Sequence, residues 1–236
     1  MADNKSGIKS NLREYVSAIL TAVALALVIR TGVVQAFYIP SGSMEDTLLV
    51  GDYLLANKFV YGAPVEIPFT TRHLFRLPAL SEPQPGDIVI FRSPVEPGKD
   101  LIKRCVAVGG QEVEIVDKVL YVDGERMGDP PQAKYTDPRT YTGQMNPRDN
   151  FGPYVVPDDH FFMMGDNRDN SADSRYWRSV HRELIRGKAM SIYWSWASDN
   201  RGPYYTGPAS LPAVVGTYLW RLPGRVRFGR LGNVIL

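Results

Sequence analysis

The 236-residue chain has little of the chemistry on which many enzymes and binding proteins depend. It contains one cysteine, Cys105, and three histidines, and its formal net charge is only +2. A single cysteine forms no internal disulfide and excludes zinc sites built from several thiolates. The basic residues are scattered apart from the C-terminal RLPGRVRFGR, so a DNA or RNA partner is not expected. The composition, 44% hydrophobic and 22% charged, is that of a folded globular protein.

The three histidines give little support to a Ser/His/Asp enzyme. His73 lies in a stretch flanked by prolines, His160 in a turn beside an apolar run, and His181 in a segment expected at the surface. None is surrounded by the glycines or acidic residues that accompany a catalytic triad. A triad enzyme stays an open alternative, although the sequence favours satisfied surface or core histidines.

A calcium loop is also excluded. The polar string GDNRDNSADSR begins at Gly165, and an EF-hand loop starting at Asp166 would place Arg168 third, Ser171 sixth and Trp177 twelfth. The sixth position of such a loop needs glycine, and the twelfth needs glutamate. The string instead favours a polar turn held by charge-assisted hydrogen bonds, which is suited to support an active site.

The N-terminal region predicts a membrane segment. Three basic residues within 1–14 precede an uncharged apolar run, and the apolar character continues past Arg30 to residue 36. About 20 helical residues cross a bilayer, so 15–36 is predicted as the anchor. The preceding basic residues place 1–14 in the cytoplasm and 37–236 outside. A secretory signal cleaved near Ala36 and a buried soluble helix are the alternatives.

Beyond residue 37 the pattern predicts a mostly β protein with an antiparallel sheet. Helical periodicity is scarce, and apolar runs of strand length alternate with glycine and proline signals. One pair of runs predicts a hairpin around Asp117 and Lys118, and 125–158 predicts an inserted small subdomain or loop-rich excursion. The predicted strands are 53–61, 87–92, 101–108, 112–116, 119–124, 160–166 and 189–197.

Lys103 is the chemically notable residue of the run 101–108. Strand alternation predicts it on the face of Cys105 and Ala107, with Arg104 on the opposite face. We expect Arg104, which stays charged, to reach an acidic partner or the surface. Burial among apolar groups lowers the pKa of a lysine, and a neutral amine can deprotonate a serine. The alternative is an edge-strand lysine that merely prevents aggregation.

Three motifs occur in a fixed order along the chain: PSGSM at 40–44, IKR at 102–104 and GDNRDNSADSRYW at 165–177. Behind an N-terminal apolar segment, this order resembles bacterial type I signal peptidases (leader peptidases), serine–lysine proteases that remove signal peptides from exported proteins. The likeness covers nearly the whole chain, including the closing RFGRLGN, and is weakest over 61–84 and 125–156. PSGSM or IKR alone would be weak, but the ordered set is specific.

The resemblance implies a role for each matching residue. Ser43 matches the nucleophile and Lys103 the general base, while Ser41 matches the hydroxyl that completes the oxyanion hole with the backbone amide of Ser43. Ser171 matches the serine that hydrogen-bonds to the lysine amine. Supporting positions are Asp173, Arg175, Arg104, Gly165, Asp166 and Asn167. Shallow pockets for small substrate side chains are matched by Ile39, Pro40, Met44, Leu48, Leu101 and Ile102.

The same resemblance implies a reaction without metal or cofactor. The preprotein would lie as an added strand near 100–103, and cleavage would follow an Ala-x-Ala-like site through an acyl-enzyme. The protein would be a single-pass protein of the bacterial cytoplasmic membrane, in contact with lipid and near the secretion translocon, with its catalytic domain on the extracytoplasmic side. Asp46 stands where the family often has proline, which changes the turn but no catalytic group.

Three other functions share some of these sequence features. A peptidase dedicated to one substrate, such as a pilin, would share all three motifs. A self-cleaving serine–lysine repressor would share the chemistry, but no helix-turn-helix precedes the motifs and the N-terminus is membranous. An anchored, non-catalytic β-rich binding protein would use PSGSM only as a linker, but it would not need Ser43, Lys103 and Ser171 together.

Overall fold

The computed structural model describes residues 14–27, 33–62, 64–66, 73–76, 78–197 and 206–235. Residues 14–27 form helix α1. The strands are β1 (Val34–Tyr38), β2 (Asp52–Asn57), β3 (Pro64–Glu66), β4 (His73–Arg76), β5 (Ile88–Arg92), β6 (Asp100–Val108), β7 (Glu112–Val116), β8 (Val119–Val122), β9 (Glu125–Arg126), β10 (Phe151–Val155), β11 (His160–Met164), β12 (Val180–His181) and β13 (Ile185–Ser195). The remaining helices are α2 (Ser174–Trp177) and α3 (Leu211–Arg225).

Antiparallel pairing dominates, as the sequence predicted. Within the described residues, seven strands form one sheet in the order β1-β2-β13-β5-β6-β11-β12, and four form a second in the order β10-β7-β8-β9. Strand β5 shows why its sequence is a continuous apolar run: Ile88 and Ile90 pack into one cluster, while Val89 and Phe91 pack into another. A strand buried on both faces shows no alternation of apolar and polar residues.

Strand β6 carries a bulge that changes which way its side chains point. Met163 lies opposite Cys105 and Phe162 lies opposite Ala107, so Val106 is an extra residue. Cys105 therefore packs with one cluster, whereas Val106 and Ala107 both pack with another. The predicted common face for Cys105 and Ala107 is wrong for this reason, because alternation holds only in regular pairing.

The predicted hairpin is present between β7 and β8. Its two turn residues have positive φ values, 46° at Asp117 and 73° at Lys118. Two-residue hairpin turns favour this conformation because its twist matches that of the strands. The excursion that follows contributes β10, whose Val155 and Tyr154 pair with β7.

Buried charges order the rest of the excursion. The Lys118 amine donates to the Asp137 carbonyl at 2.5 Å and to Asp169 at 3.0 Å. Arg148 donates to both oxygens of the adjacent Asp149, at 2.8 and 2.7 Å. Asp169 belongs to the polar string 165–175. The Lys118 amine, which binds both Asp137 and Asp169, therefore links the excursion to that string.

The N-terminal prediction needs one correction. Residues 34–36 belong to strand β1, which pairs with β2, and not to a helix that continues to residue 36. An apolar run cannot by itself distinguish strand from helix, and the edge of β2 supplies the pairing partner. No helix among the described residues has both the length and the hydropathy of a membrane span. Arg30 lies outside the described residues.

The C-terminal segment is bonded to the sheet through the buried Asp52. Its carboxylate accepts hydrogen bonds from the Ser195 hydroxyl at 2.6 Å and from Arg230 Nη2 at 2.6 Å. Arg230 also donates to the carbonyl of Thr47 at 2.9 Å. Asp52 is fully buried, and Arg230 supplies the nearer of two positive charges that balance it, the other being Arg227 at 3.9 Å.

Arg230→Ala should lower the free energy of unfolding by about 3 kcal/mol, because the buried Asp52 would lose its charge-assisted hydrogen bonds and keep only the more distant Arg227. The matched control is Lys99→Ala, which removes the exposed pair between Lys99 and Glu96 and should change the free energy of unfolding by less than about 1 kcal/mol. Denaturant titration measures both values, and equal losses in the two variants would contradict the assigned role of Arg230.

Candidate active site

Ser43 lies in a tight turn that follows β1. Gly42–Met44 forms a single 3-10 turn, and Ser41 precedes it in extended conformation without capping it through its side chain. The turn directs Met44 into the core, where Met44 and Leu48 are both fully buried. With Met44 held inside, the hydroxyl-bearing residues Ser41 and Ser43 stay partly accessible.

Lys103 faces this serine from the middle of β6. Its Nζ lies 2.5 Å from Oγ of Ser43, although 60 residues separate the two in the chain. The lysine is 3% exposed, and it pairs through its backbone with Val89 of β5. The strand therefore fixes the amine against the turn.

Burial tunes the amine for proton transfer. Desolvation lowers the pKa of Lys103 to about 8, with the negative charge of Asp173 opposing this shift and the positive charge of Arg175 adding to it. A lysine with that pKa is neutral in about one molecule in ten at pH 7, against fewer than about one in a thousand for an ordinary lysine. The site thus holds a usable base near neutral pH.

The turn that begins the polar string holds the serine turn in place. The backbone N–H of Asn167 donates to the carbonyl of Ser43 at 3.1 Å. The side-chain amide of Asn167 donates to the carbonyl of Gly42 at 3.1 Å and to Glu45 at 3.2 Å. Asn167 is buried, so these bonds fix the position of the turn in a dry environment.

Gly165 permits the close approach of the two segments. A Cβ atom at this position would lie 2.3 Å from Oγ of Ser171 and 2.5 Å from the carbonyl oxygen of Ser43. Real Cβ contacts are not that short, and one of the two neighbours is backbone. Any larger residue would therefore push the string away from Ser43.

Ser171 differs from the role implied by the resemblance. Its hydroxyl is buried beside Gly165, but it has no hydrogen-bond partner in the part of the chain that the structure describes. The Lys103 amine contacts Ser43 instead. The predicted hydrogen bond between Ser171 and Lys103 is therefore not formed in this structure.

Two buried ion pairs support the site. Arg104 donates through Nε and Nη2 to the two oxygens of Asp166, both at 2.9 Å, which supplies the acidic partner expected for this arginine. Arg175 binds Asp173 in the same two-pronged way, at 2.8 Å for each bond. Such bidentate pairs fix orientation as well as charge.

The Asp173 carboxylate remains charged beside the lysine. Desolvation raises its pKa, but the charge of Arg175 and the hydrogen bonds from Arg175 outweigh that effect, so the pKa lies below the ordinary value. Asp173 also accepts from the backbone N–H of Gly165 at 3.0 Å. One carboxylate therefore orders both Arg175 and the turn that lies under Ser43.

A cavity of about 410 Å³ opens onto Ser43 and Lys103. Ser41 and four of the six predicted pocket residues line it: Ile39, Pro40, Leu101 and Ile102. Met44 and Leu48 are fully buried in the core and are not among the residues that line this cavity, so their place in a substrate pocket stays a prediction. The lining also includes residues that were not predicted as pocket residues, namely Phe37, Tyr38, Ile90, Lys99, Asp100, Asn170 and Ala172.

The missed lining residues had only partial signals in the sequence. Phe37 and Tyr38 lie just before Ile39 and PSGSM, at the start of the domain predicted from residue 37, but no role was assigned to them. Asn170 and Ala172 flank Ser171 in the polar string. The histidines do not contribute: His160 and His181 pair with each other on β11 and β12, outside the cavity lining.

The chain is similar to known signal peptidases over most of its length. A family model described as signal peptidase, peptidase S26, matches residues 12–194. Signal peptidase I of Pseudomonas aeruginosa is 36% identical over 213 residues, covering 78% of this chain and 73% of the relative. Signal peptidase I of Aquifex aeolicus is 31% identical and covers 91% of this chain and 97% of the relative.

A solved signal peptidase I from Enterococcus faecalis V583 is 28% identical and covers 46% of this chain and 97% of its own, with a TM-score of 0.38. That overlap is too small to bear on the assignment. The family model and the two relatives settle it: the chain belongs to the signal peptidase family, peptidase S26, and is a serine endopeptidase.

Proposed function

We propose that this chain removes N-terminal signal peptides from exported preproteins, with Ser43 as nucleophile and Lys103 as general base. The observation that carries the proposal is the 2.5 Å contact between Lys103 Nζ and Ser43 Oγ, made in a buried setting at the wall of an apolar cavity. Membership of the family supports the choice of substrate.

The proton moves twice in each half of the reaction. Neutral Lys103 takes the proton of Ser43 while Oγ attacks the carbonyl carbon before the scissile bond. The protonated amine then gives this proton to the departing amine of the mature protein, which leaves the signal peptide as an ester on Ser43. Lys103 next takes a proton from water while the water oxygen attacks the ester carbonyl. The bond between that carbon and Oγ then breaks, protonated Lys103 returns the proton to Oγ of Ser43, and the signal peptide leaves with a free carboxylate.

The negative oxygen of each tetrahedral intermediate needs donors. The backbone N–H of Ser43 and the hydroxyl of Ser41 are proposed for this role, since Ser41 lines the same cavity and does not cap the 3-10 turn. Loss of one such donor typically lowers kcat by about 10²–10³-fold.

An open strand edge can receive the substrate. β6 pairs with β5 along 100–104, but its pairing with β11 begins only at Arg104. Residues 100–103 therefore present an edge that β11 does not cover, next to the cavity. An extended preprotein can add there as a strand, with alternate side chains entering the cavity.

The cavity walls favour small apolar side chains. Ile39, Pro40, Leu101 and Ile102 supply branched or rigid apolar surface, and the space of about 410 Å³ is shared with the peptide backbone. This supports cleavage after an Ala-x-Ala-like site. A larger side chain would have to displace strand residues that also build the core.

We also propose the topology. The tail 1–14 lies in the cytoplasm, the apolar segment beginning at residue 15 anchors the chain in the bacterial cytoplasmic membrane, and the catalytic domain lies on the extracytoplasmic side. The basic residues ahead of the apolar segment support this orientation. Such an arrangement places Ser43 near membrane lipid and near the translocon that delivers preproteins.

Ser43→Ala and Lys103→Met should each abolish cleavage of a purified exported precursor. The first removes the nucleophile, and the second keeps the apolar stem of the side chain but removes the base. Product bands on a gel measure the rate, and Ser81→Ala, at an exposed serine, is the matched control with normal activity. Cleavage by Lys103→Met within tenfold of wild type would contradict the serine–lysine mechanism.

Gly165→Ala should lower kcat by about 10²-fold, because a Cβ atom there would displace the Ser43 turn and misplacement by about 1 Å has that effect. The control is Gly128→Ala, where a Cβ atom would meet no neighbour within 4 Å. Both rates come from the same precursor assay. Unchanged kcat in Gly165→Ala would show that the contact between the two segments does not set the catalytic geometry.

A further inference from the structure

Helix α3, near the C-terminus, exposes a stripe of apolar side chains. Leu211, Val215 and Leu219 follow one another at four-residue intervals and are 46%, 49% and 63% exposed. Residues with this spacing lie on one face of a helix. Trp220, on another face, is 88% exposed. This pattern differs from that of the strands, whose apolar side chains are largely buried.

The rest of the chain, as far as the structure describes it, leaves this stripe uncovered. Among the described residues, the only element in extended contact with α3 is the turn Pro208–Ser210 that immediately precedes it. The C-terminal end of the helix contacts Trp196. The Arg225 guanidinium lies 4.4 Å from the Trp196 ring centre, and Val226 forms an isolated β-bridge with Trp196. A helix of 15 residues is marginal in water without a packed face.

The positive charge of the C-terminal region indicates which kind of surface can cover the stripe. Residues 201–236 contain five arginines and no acidic residue, whereas the rest of the chain has more acidic than basic residues. Arg221 is exposed on α3 itself. The covering surface must therefore be apolar and rich in negative charge, which describes the boundary between headgroups and acyl chains in an anionic bilayer. A second copy of the chain would bring the same positive charge to the contact.

We propose that α3 lies in the surface of an anionic bilayer, with Leu211, Val215 and Leu219 in the acyl region. Fifteen residues give a helix of about 22 Å, which can lie along the surface but falls short of a span of about 30 Å. This contact is separate from the proposed N-terminal anchor and from the cleavage chemistry.

Hydrogen bonds connect the segment that follows α3 to the candidate active site. Arg230 binds Asp52 and the carbonyl of Thr47, and the Thr47 hydroxyl donates to Asp166 at 2.6 Å. Asp166 belongs to the turn beneath Ser43. A helix held at the bilayer surface would thus fix the height of Ser43 above the membrane, where a preprotein emerges.

Site-specific labelling of the full chain tests the proposal. Leu219→Cys is labelled with an environment-sensitive fluorophore and the protein is reconstituted into vesicles of phosphatidylglycerol and phosphatidylcholine containing nitroxide lipids. The native Cys105 stays unlabelled because it is buried, with its thiol pKa raised to about 12. Val95→Cys, at a 58% exposed position in a loop outside α3, is the matched control.

The label at 219 should be quenched at least about twofold more than the label at 95, and more strongly in anionic vesicles than in phosphatidylcholine alone. Equal quenching at the two positions would overturn the proposal. Shielding that depends on protein concentration rather than on nitroxide lipid would also overturn it, because a second copy would then cover the stripe. Flotation of the vesicles reports the N-terminal anchor separately, and precursor cleavage reports the proposed function.

Discussion

The proposed reaction depends on the contact between the Lys103 amine and the Ser43 hydroxyl, and the surrounding structure keeps that amine partly neutral and in position. To act as a base the amine must be neutral, and the protein achieves this by burying it rather than by pairing it with a carboxylate. The pKa of about 8 lies below that of an ordinary lysine, 10.5. The unfolded chain therefore binds this proton more tightly, so that the fold bears a penalty on the order of 3 kcal/mol below pH 8, which disappears as the pH rises toward 10.5.

Several features of the fold offset that penalty while holding the geometry. β6 supplies a rigid backbone for Lys103, and Asn167 fixes the facing turn from below. Asp173 is near enough to limit the fall of the lysine pKa, yet its charge is shared with Arg175. If Asp173 were unpaired, it would favour the protonated amine and remove the base.

Much of the fold could be predicted from the sequence, because apolar runs between glycine and proline signals mark strands wherever pairing is regular. The errors lie where tertiary structure overrides the pattern. Residues 34–36 were assigned to the anchor, since only the edge of β2 makes them a strand. Helix α3 was missed because its apolar stripe is exposed and it includes Pro223, which argues against a helix.

The candidate active site could be predicted from the sequence about as completely as the fold. Ser43 and Lys103 could be paired only through the resemblance, because 60 residues separate them and no local pattern encodes their contact. The resemblance assigned Met44 and Leu48 to the pockets, but spacing along the chain could not predict that both side chains are fully buried in the core. Among the described residues the Ser171 hydroxyl has no hydrogen-bond partner, which depends on tertiary geometry that the sequence does not encode locally.

The proposed serine–lysine mechanism depends most on the protonation state of Lys103. Carbon-13 NMR of the intact protein with lysine labelled at Cε would follow the amine directly as the pH is changed, and the Lys103→Met variant would identify its signal. The structure predicts that Lys103 titrates near pH 8. Titration of Lys103 near 10.5, the ordinary value for a lysine, would contradict the claim that burial makes this amine the base for Ser43.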